Sequence, residues 1–160
     1  MNNLGMQILK DSEGYDAIAK PDCVGVPTIG IGTVVYPDGA MVKNGDKCTE
    51  EQALEWLNFE LKDKALTLEG WINNNKLLLS GNSFSALLCF AYNLGLGSII
   101  NSGSSMNSAL LSKDELKIRN AFGLYVKGYT KILGIRIGKT LPGLVIRRKK
   151  EADLFFTQDS

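Results

Sequence analysis

The sequence predicts an α+β fold, with a small antiparallel β lobe near the N-terminus and a larger, mostly helical lobe. Three observations predict it. From Pro21 to Asp46 the chain is rich in Gly, Pro and Val, and its short β-branched runs are broken by Pro37-Asp38-Gly39 and Asn44-Gly45, the punctuation of a tight antiparallel sheet. Thr49-Glu50-Glu51-Gln52 is a capping box that opens a helix. Beyond residue 80 the apolar positions fall mostly at helical spacing.

Residues about 3–12 form a short amphipathic helix with Leu4, Ile8 and Leu9 on one face. The β lobe then covers about 13–48. After Thr49, Ala53, Leu54, Leu57, Leu61, Ala65 and Leu68 recur at helical spacing, predicting a connecting helix over about 49–72. A second helix starts near Asn82 or Ser83, either of which can cap it. Phe84, Leu87, Leu88, Ala91 and Leu94 make it apolar on most sides, so it is central and buried. Gly95 and Gly97 end it. Shorter helices follow around 105–112 and 114–127, and a closing helix runs from Pro142, a favourable first-turn residue, to about Phe156. The helical lobe is thus about 80–160 with helix 1–12, in one domain spanning 1–160, and the sheet is confined to the N-terminal lobe.

Composition narrows the function. With 160 residues the chain can bury a core without disulfides or metals. A net charge of +1, from 18 Lys+Arg and 17 Asp+Glu, argues against nucleic acid as a partner. The run Arg147-Arg148-Lys149-Lys150 reads first as the solvated face of a helix and second as an attraction for an anionic polymer. Histidine is absent, which excludes Ser-His-Asp and Cys-His catalysis and His-ligated metal. Cys23, Cys48 and Cys89 have no framework spacing and are odd in number, so free thiols made in a reducing cytoplasm are expected. The N-terminal stretch has neither the basic start nor the apolar run of a signal peptide, and no segment reaches the roughly 20 apolar residues of a membrane span.

Glu13, Asp22 and Thr28 frame the start of the sheet. Glu13 ends the first helix, Asp22 lies in a turn after Pro21, and Thr28 precedes Ile29-Gly30-Ile31-Gly32. Taken alone, a Glu at a helix end is ordinarily solvated, an Asp after Pro is a turn former and a Thr in a strand reflects β propensity. Yet the stretch EGYDAIAKPDCVGVPTIGIGT resembles the active-site signature of the phage-type lysozymes, glycoside hydrolase family 24: Glu, eight residues, Asp or Cys, five residues, Thr, then Ile-Gly-x-Gly. The resemblance continues through CTEEQALEWL, through FSALLCFAYNLGLGS with Asn93 in its Phe-x-x-Asn-x-Gly pattern, and through LPGLVIRRKKEADLFF with its Arg-Arg pair. Two departures stand out. Thr33 occupies the place of the family's His, where it bears on stability more than chemistry, and Cys23 sets a thiol beside Asp22.

The resemblance implies a lysozyme-like fold whose two lobes flank a cleft for glycan strands. It implies an endolysin, a muramidase cleaving the β-1,4 bond between N-acetylmuramic acid and N-acetylglucosamine of bacterial peptidoglycan. Glu13 is then the general acid, Asp22 the base that activates water and Thr28 the residue that positions it, chemistry that needs one protonated and one ionised carboxyl. Gly30, Gly32 and Asn93 are expected to bind substrate, and Arg147 and Arg148 to support the site, one of them approaching Glu13 or Asp11. No cofactor or metal is implied. A monomer, accumulating in the host cytoplasm without membrane insertion, would reach the wall through a separate holin. Two rivals are a lytic transglycosylase, which needs one acid and no activated water, and a catalytically inactive wall-binding module.

Overall fold

In the computed structural model, which describes residues 1–22, 25–132 and 135–159, helix α1 spans Asn3–Glu13. Its inward face differs from the expected one. Ile8 and Leu9 are buried, but Leu4 is 55% exposed. Gly5 is buried instead: a Cβ there would lie 2.9 Å from the Ser85 Cβ, and its carbonyl accepts the Cys89 thiol at 3.2 Å. The backbone comes too close at that point for any side chain, a constraint that hydropathy does not reveal. Gly14, at φ +72°, donates to the Lys10 carbonyl and ends the helix in the left-handed conformation.

Strand β1 (Asp16–Pro21) pairs antiparallel with β2 (Pro27–Gly30), with Asp16 opposite Gly30, Lys20 opposite Thr28 and Pro21 opposite Pro27. Single bridges join Ile18 to Lys47 and Val35 to Met41. The turns fall where the sequence places them, with Gly39 at φ +87° and Gly45 at +89°. Ala19, Ile29 and Val42 form the core beneath this sheet, with Tyr36, Cys48 and Trp56 packed against it. Helix α2 (Glu50–Asn74) opens with the predicted capping box: Gln52 N donates to Thr49 Oγ1 at 3.2 Å and Thr49 N to Gln52 Oε1 at 2.9 Å. Ala53, Leu57, Leu61 and Leu68 are buried along it.

The chain divides into two compact units, residues 9–67 and residues 1–8 with 68–160. In the second, α3 (Gly81–Leu94) is buried as expected. Its cap, however, is Ser80, whose hydroxyl accepts from Ser83 N at 3.0 Å. Asn82 and Ser83 lie inside the helix, because the Asp159 carboxylate also accepts from Gly81 N at 2.7 Å and Asn82 N at 2.8 Å and so satisfies the first turn from the far end of the chain. Gly95, at φ +79°, closes α3. Helices α4 (Gly97–Ile100), α5 (Ser105–Ser112) and α6 (Glu115–Gly123) follow, the last two capped by Ser104 and Asp114.

The expected helix over 114–127 stops at Gly123. A hairpin follows, β3 (Lys127–Ile132) antiparallel to β4 (Ile135–Thr140), so the sheet is not confined to the N-terminal part. The sequence over 126–140 is rich in β-branched residues, a composition that favours strands over helix.

Helix α7 (Pro142–Phe156) packs along α3. Its basic run is not a solvated face. Arg147 and Arg148 are 5% and 1% exposed, and only Lys149 and Lys150 face solvent. The arginines turn inward because Glu151, itself wholly buried, accepts from Arg147 Nε at 3.0 Å and pairs with Arg148 Nη1 at 3.1 Å. Rings stack edge to face around them: Phe90 with Phe122 and Tyr125, and Phe122 with Phe155. Among the described residues, no helix is long and apolar enough to cross a membrane.

Candidate active site

Glu13 is the last residue of α1 and is half-buried. Two residues on, the Tyr15 hydroxyl donates to the Cys48 carbonyl at 2.9 Å, and Cys48 N donates to Ala17 O at 3.0 Å. These bonds tie the start of β1 to the end of the β-rich segment. Burial holds both the Tyr15 phenol and the Cys48 thiol above their ordinary pKa values, so both stay protonated at neutral pH and neither is a nucleophile there.

Asp22 follows the last residue of β1 and is exposed; Thr28 lies in β2 and is half-buried. One residue joins them. Val26 N donates to Asp22 Oδ1 at 2.8 Å, and the Thr28 hydroxyl donates to Val26 O at 3.0 Å. The loop is closed by Asp22 N donating to Val26 O at 2.9 Å, with Gly25 at φ +88° permitting the reversal. The β1–β2 register thus brings Asp22 and Thr28 together, while Glu13 enters from the opposite end of β1 along the chain. Val26 and Gly25 were not singled out in the sequence; a glycine flanked by two valines was the available signal. Cys23 lies outside the described residues. Cys48 and Cys89 are free thiols.

Gly30 and Gly32 shape the next turn. Ile29 and Thr33 exchange two backbone hydrogen bonds of 3.0 and 2.9 Å across it. The glycines take φ +64° and +85°. A Cβ on Gly30 would also lie 2.8 Å from the Ala53 Cβ, so that position demands glycine for both backbone and space. Thr33 is buried behind the turn, and its hydroxyl has no hydrogen-bond partner among the described residues.

The remaining singled-out residues lie in the unit of residues 1–8 and 68–160. Arg148 Nη2 donates to Asn93 Oδ1 at 2.8 Å, and its guanidinium lies 4.8 Å from the Phe90 ring centre. Arg147 Nη2 donates to the Cys89 carbonyl at 3.3 Å. Burial pushes the Cys89 thiol up to about 12. Both arginines are therefore committed to this interior network, and Asn93 is oriented by it. Among the described residues, no group of three or more His, Cys, Asp or Glu could hold a metal ion.

Comparison with known proteins gives a consistent picture. The family model described as phage lysozyme matches residues 10–151. An endolysin of Salmonella phage P22 is 29% identical over 153 residues, covering 96% of this chain and 95% of that protein. Among solved structures, an endolysin from Escherichia coli O157:H7 phage FAHEc1 superposes with a TM-score of 0.80 at 29% identity, covering 97% of this chain and 92% of that one. A variant of P22 lysozyme superposes with a TM-score of 0.71 at 28% identity, covering 98% of each chain.

Proposed function

The chain belongs to the phage lysozyme family, and from that premise we propose that it is an endolysin hydrolysing the β-1,4 bond between N-acetylmuramic acid and N-acetylglucosamine in bacterial peptidoglycan. Its fold is the α+β lysozyme fold and its activity that of a glycoside hydrolase. The observation that carries the finer reading is the joint hold of Asp22 and Thr28 on Val26, inside a signature whose spacing begins at Glu13.

The chemistry follows from the hydrogen bonds. Thr28 spends its only hydroxyl proton on Val26 O, so toward a water it can only accept. The Asp22 carboxylate is oriented by Val26 N and accepts as well. A water giving one proton to each points its lone pair outward, toward an anomeric carbon. Glu13 protonates the leaving oxygen as the ring becomes cation-like, and Asp22 takes the water's proton as the new C–O bond forms. This is single displacement with inversion. Gly30 and Gly32 fix the turn that follows Thr28 and bind substrate through its backbone, Asn93 binds substrate in its own unit, and Arg147 and Arg148 support it by fixing Asn93 and α7. The protein acts as a monomer without cofactor or metal, accumulates in the host cytoplasm and depends on a separate holin for release.

Digestion of purified peptidoglycan tests the reading, with mass analysis of the products and proton NMR in the first minutes. Reducing ends appearing first as the α-anomer are expected. A 1,6-anhydro product would mean a transglycosylase, and the β-anomer appearing first would mean retention; either overturns the mechanism. An intact polymer overturns the activity.

A further inference from the structure

The unit of residues 9–67 has a second opening that this chemistry does not use. It is a pocket of about 560 Å³ lined by Tyr36, Pro37, Asp38, Asp46, Lys47 and Trp56; none of Glu13, Asp22 and Thr28 lines it. Its volume lies within the roughly 300–1,000 Å³ usual for small-ligand sites. The Tyr36 and Trp56 rings meet edge to face, with centroids 4.9 Å apart and planes at 64°. Both rest on the Ala19–Ile29–Val42 core, which fixes their orientation, and both remain partly exposed. Two rings at that angle form a corner, with one apolar wall for the face of a ligand and another for its edge.

Unspent polar atoms surround the corner. The Tyr36 hydroxyl and Lys43 N both donate to Asp46 Oδ2, each at 2.9 Å, which leaves Oδ1 without a donor among the described residues. Asp38 uses Oδ1 for Ala40 N at 2.9 Å and keeps Oδ2. Lys47 is fixed by its backbone bridge to Ile18, and its ammonium has no ion-pair partner among the described residues. The backbone N–H of Lys43, helped by the Tyr36 hydroxyl, holds the Asp46 carboxyl below its ordinary range. Burial and that same hydrogen bond push Tyr36 up to about 12. Asp46 is thus an acceptor at neutral pH, and Tyr36 a rigid neutral ring.

A pyranose matches this set. Its C–H face stacks on an aromatic plane, its hydroxyl and N-acetyl N–H groups donate to carboxylates, and its oxygens accept from an ammonium. A phosphate would face two carboxylates, and an apolar peptide would bury them without partners. We propose that this pocket is a second saccharide-binding site, taking one N-acetylhexosamine unit of a glycan strand and holding the enzyme on its polymer. The choice of polymer rests on the peptidoglycan reading above; the sugar chemistry rests on the pocket.

The test titrates tri-N-acetylchitotriose into the full chain carrying Glu13→Gln, followed by amide and indole NMR. Trp56 and Trp71 are the two tryptophans, so Trp71→Phe assigns the Trp56 indole N–H. The Trp56 indole and the Asp38 and Lys47 amides are expected to shift along one saturating curve. Asp38→Asn with Lys47→Ala, both exposed positions, should weaken that curve about tenfold, the effect of losing one charge-assisted hydrogen bond, with an unchanged melting temperature. In the Glu13 background, the double variant should lose retention on insoluble peptidoglycan but still cleave soluble fragments at the parent rate. A still Trp56 resonance, or unchanged affinity in the double variant, overturns the site. Peptidoglycan cleavage by the parent chain is measured alongside: cleavage with Trp56 unmoved refutes this pocket alone, and no cleavage refutes the muramidase reading instead.

Discussion

Glu151 is wholly buried and binds both Arg147 and Arg148, whereas Glu13, the last residue of α1, keeps part of its surface in solvent. The same side chain serves opposite ends in the two units. A carboxylate set between two guanidiniums of its own helix is paired in the interior, and those guanidiniums in turn bond the Cys89 carbonyl and Asn93 of α3. A carboxylate at a helix end stays within reach of a ligand. Asp22 extends the contrast: it is exposed and oriented through a backbone N–H. The backbone of its own loop orients it. The lesson is that the residues proposed for chemistry are those the fold positions without enclosing them.

Glu13→Gln is the sharpest way to break this comparison. On the reading proposed for it, lysis should fall about 10²–10⁴-fold, as when a general acid is lost, with an unchanged melting curve. Near-parental lysis by the folded variant would remove Glu13 from the mechanism. Glu151→Gln should do the reverse, losing about 3–5 kcal/mol of stability because two buried guanidiniums are left without a balancing charge. Urea unfolding measures it, and a loss under 1 kcal/mol would show that the interior pair tolerates an amide.

Gly30→Ala comes next. The left-handed φ and the 2.8 Å approach to Ala53 together should cost about 2–4 kcal/mol, read from the same unfolding curves. A parental melting curve would mean the turn opens at no expense. Thr33→Val should act the other way, raising stability by up to about 1 kcal/mol, since it deletes a buried hydroxyl that has no partner; a drop would reveal a role for that oxygen.

The smallest effect concerns Asp159. The backbone N–H groups of Asn82 and Gly81 hold its carboxyl below the ordinary value. A depressed carboxyl contributes stability above its unfolded pKa and loses it as pH falls through the folded one. Asp159→Asn should therefore lower the melting temperature slightly at pH 7, and the difference from the parent should vanish in acid. A difference independent of pH would assign the effect to packing.

The legible parts of this chain were those decided by near neighbours. The capping box at Thr49, the glycine turns at Gly39 and Gly45, the stop at Gly95 and the start at Pro142 each depend on a few consecutive residues, and each formed where the sequence places it. The candidate catalytic trio was visible as a spacing, within a resemblance that ran along most of the chain. Hydropathy failed where a distant partner decided. Leu4 is exposed because Gly5, pressed against Ser85, sets the buried face of α1. Ser80 replaced Asn82 and Ser83 as the cap because Asp159 arrives from 77 residues away to finish the first turn.

By itself, then, the sequence determined the order and type of most elements, the turn positions and the family signature, because these follow from local backbone preferences and from residues in fixed register. Tertiary structure alone decided that Arg147 and Arg148 lie inside while Val145 and Ile146 lie out. It also decided that Lys127–Ile132 pairs with Ile135–Thr140, and that Asp22 and Thr28 share Val26. The physical reason is the same each time. Which face of α7 turns inward is decided by partners on α3 that lie 58 and 55 residues away in sequence, and local composition, which favours strands and turns, does not name the partner each segment takes.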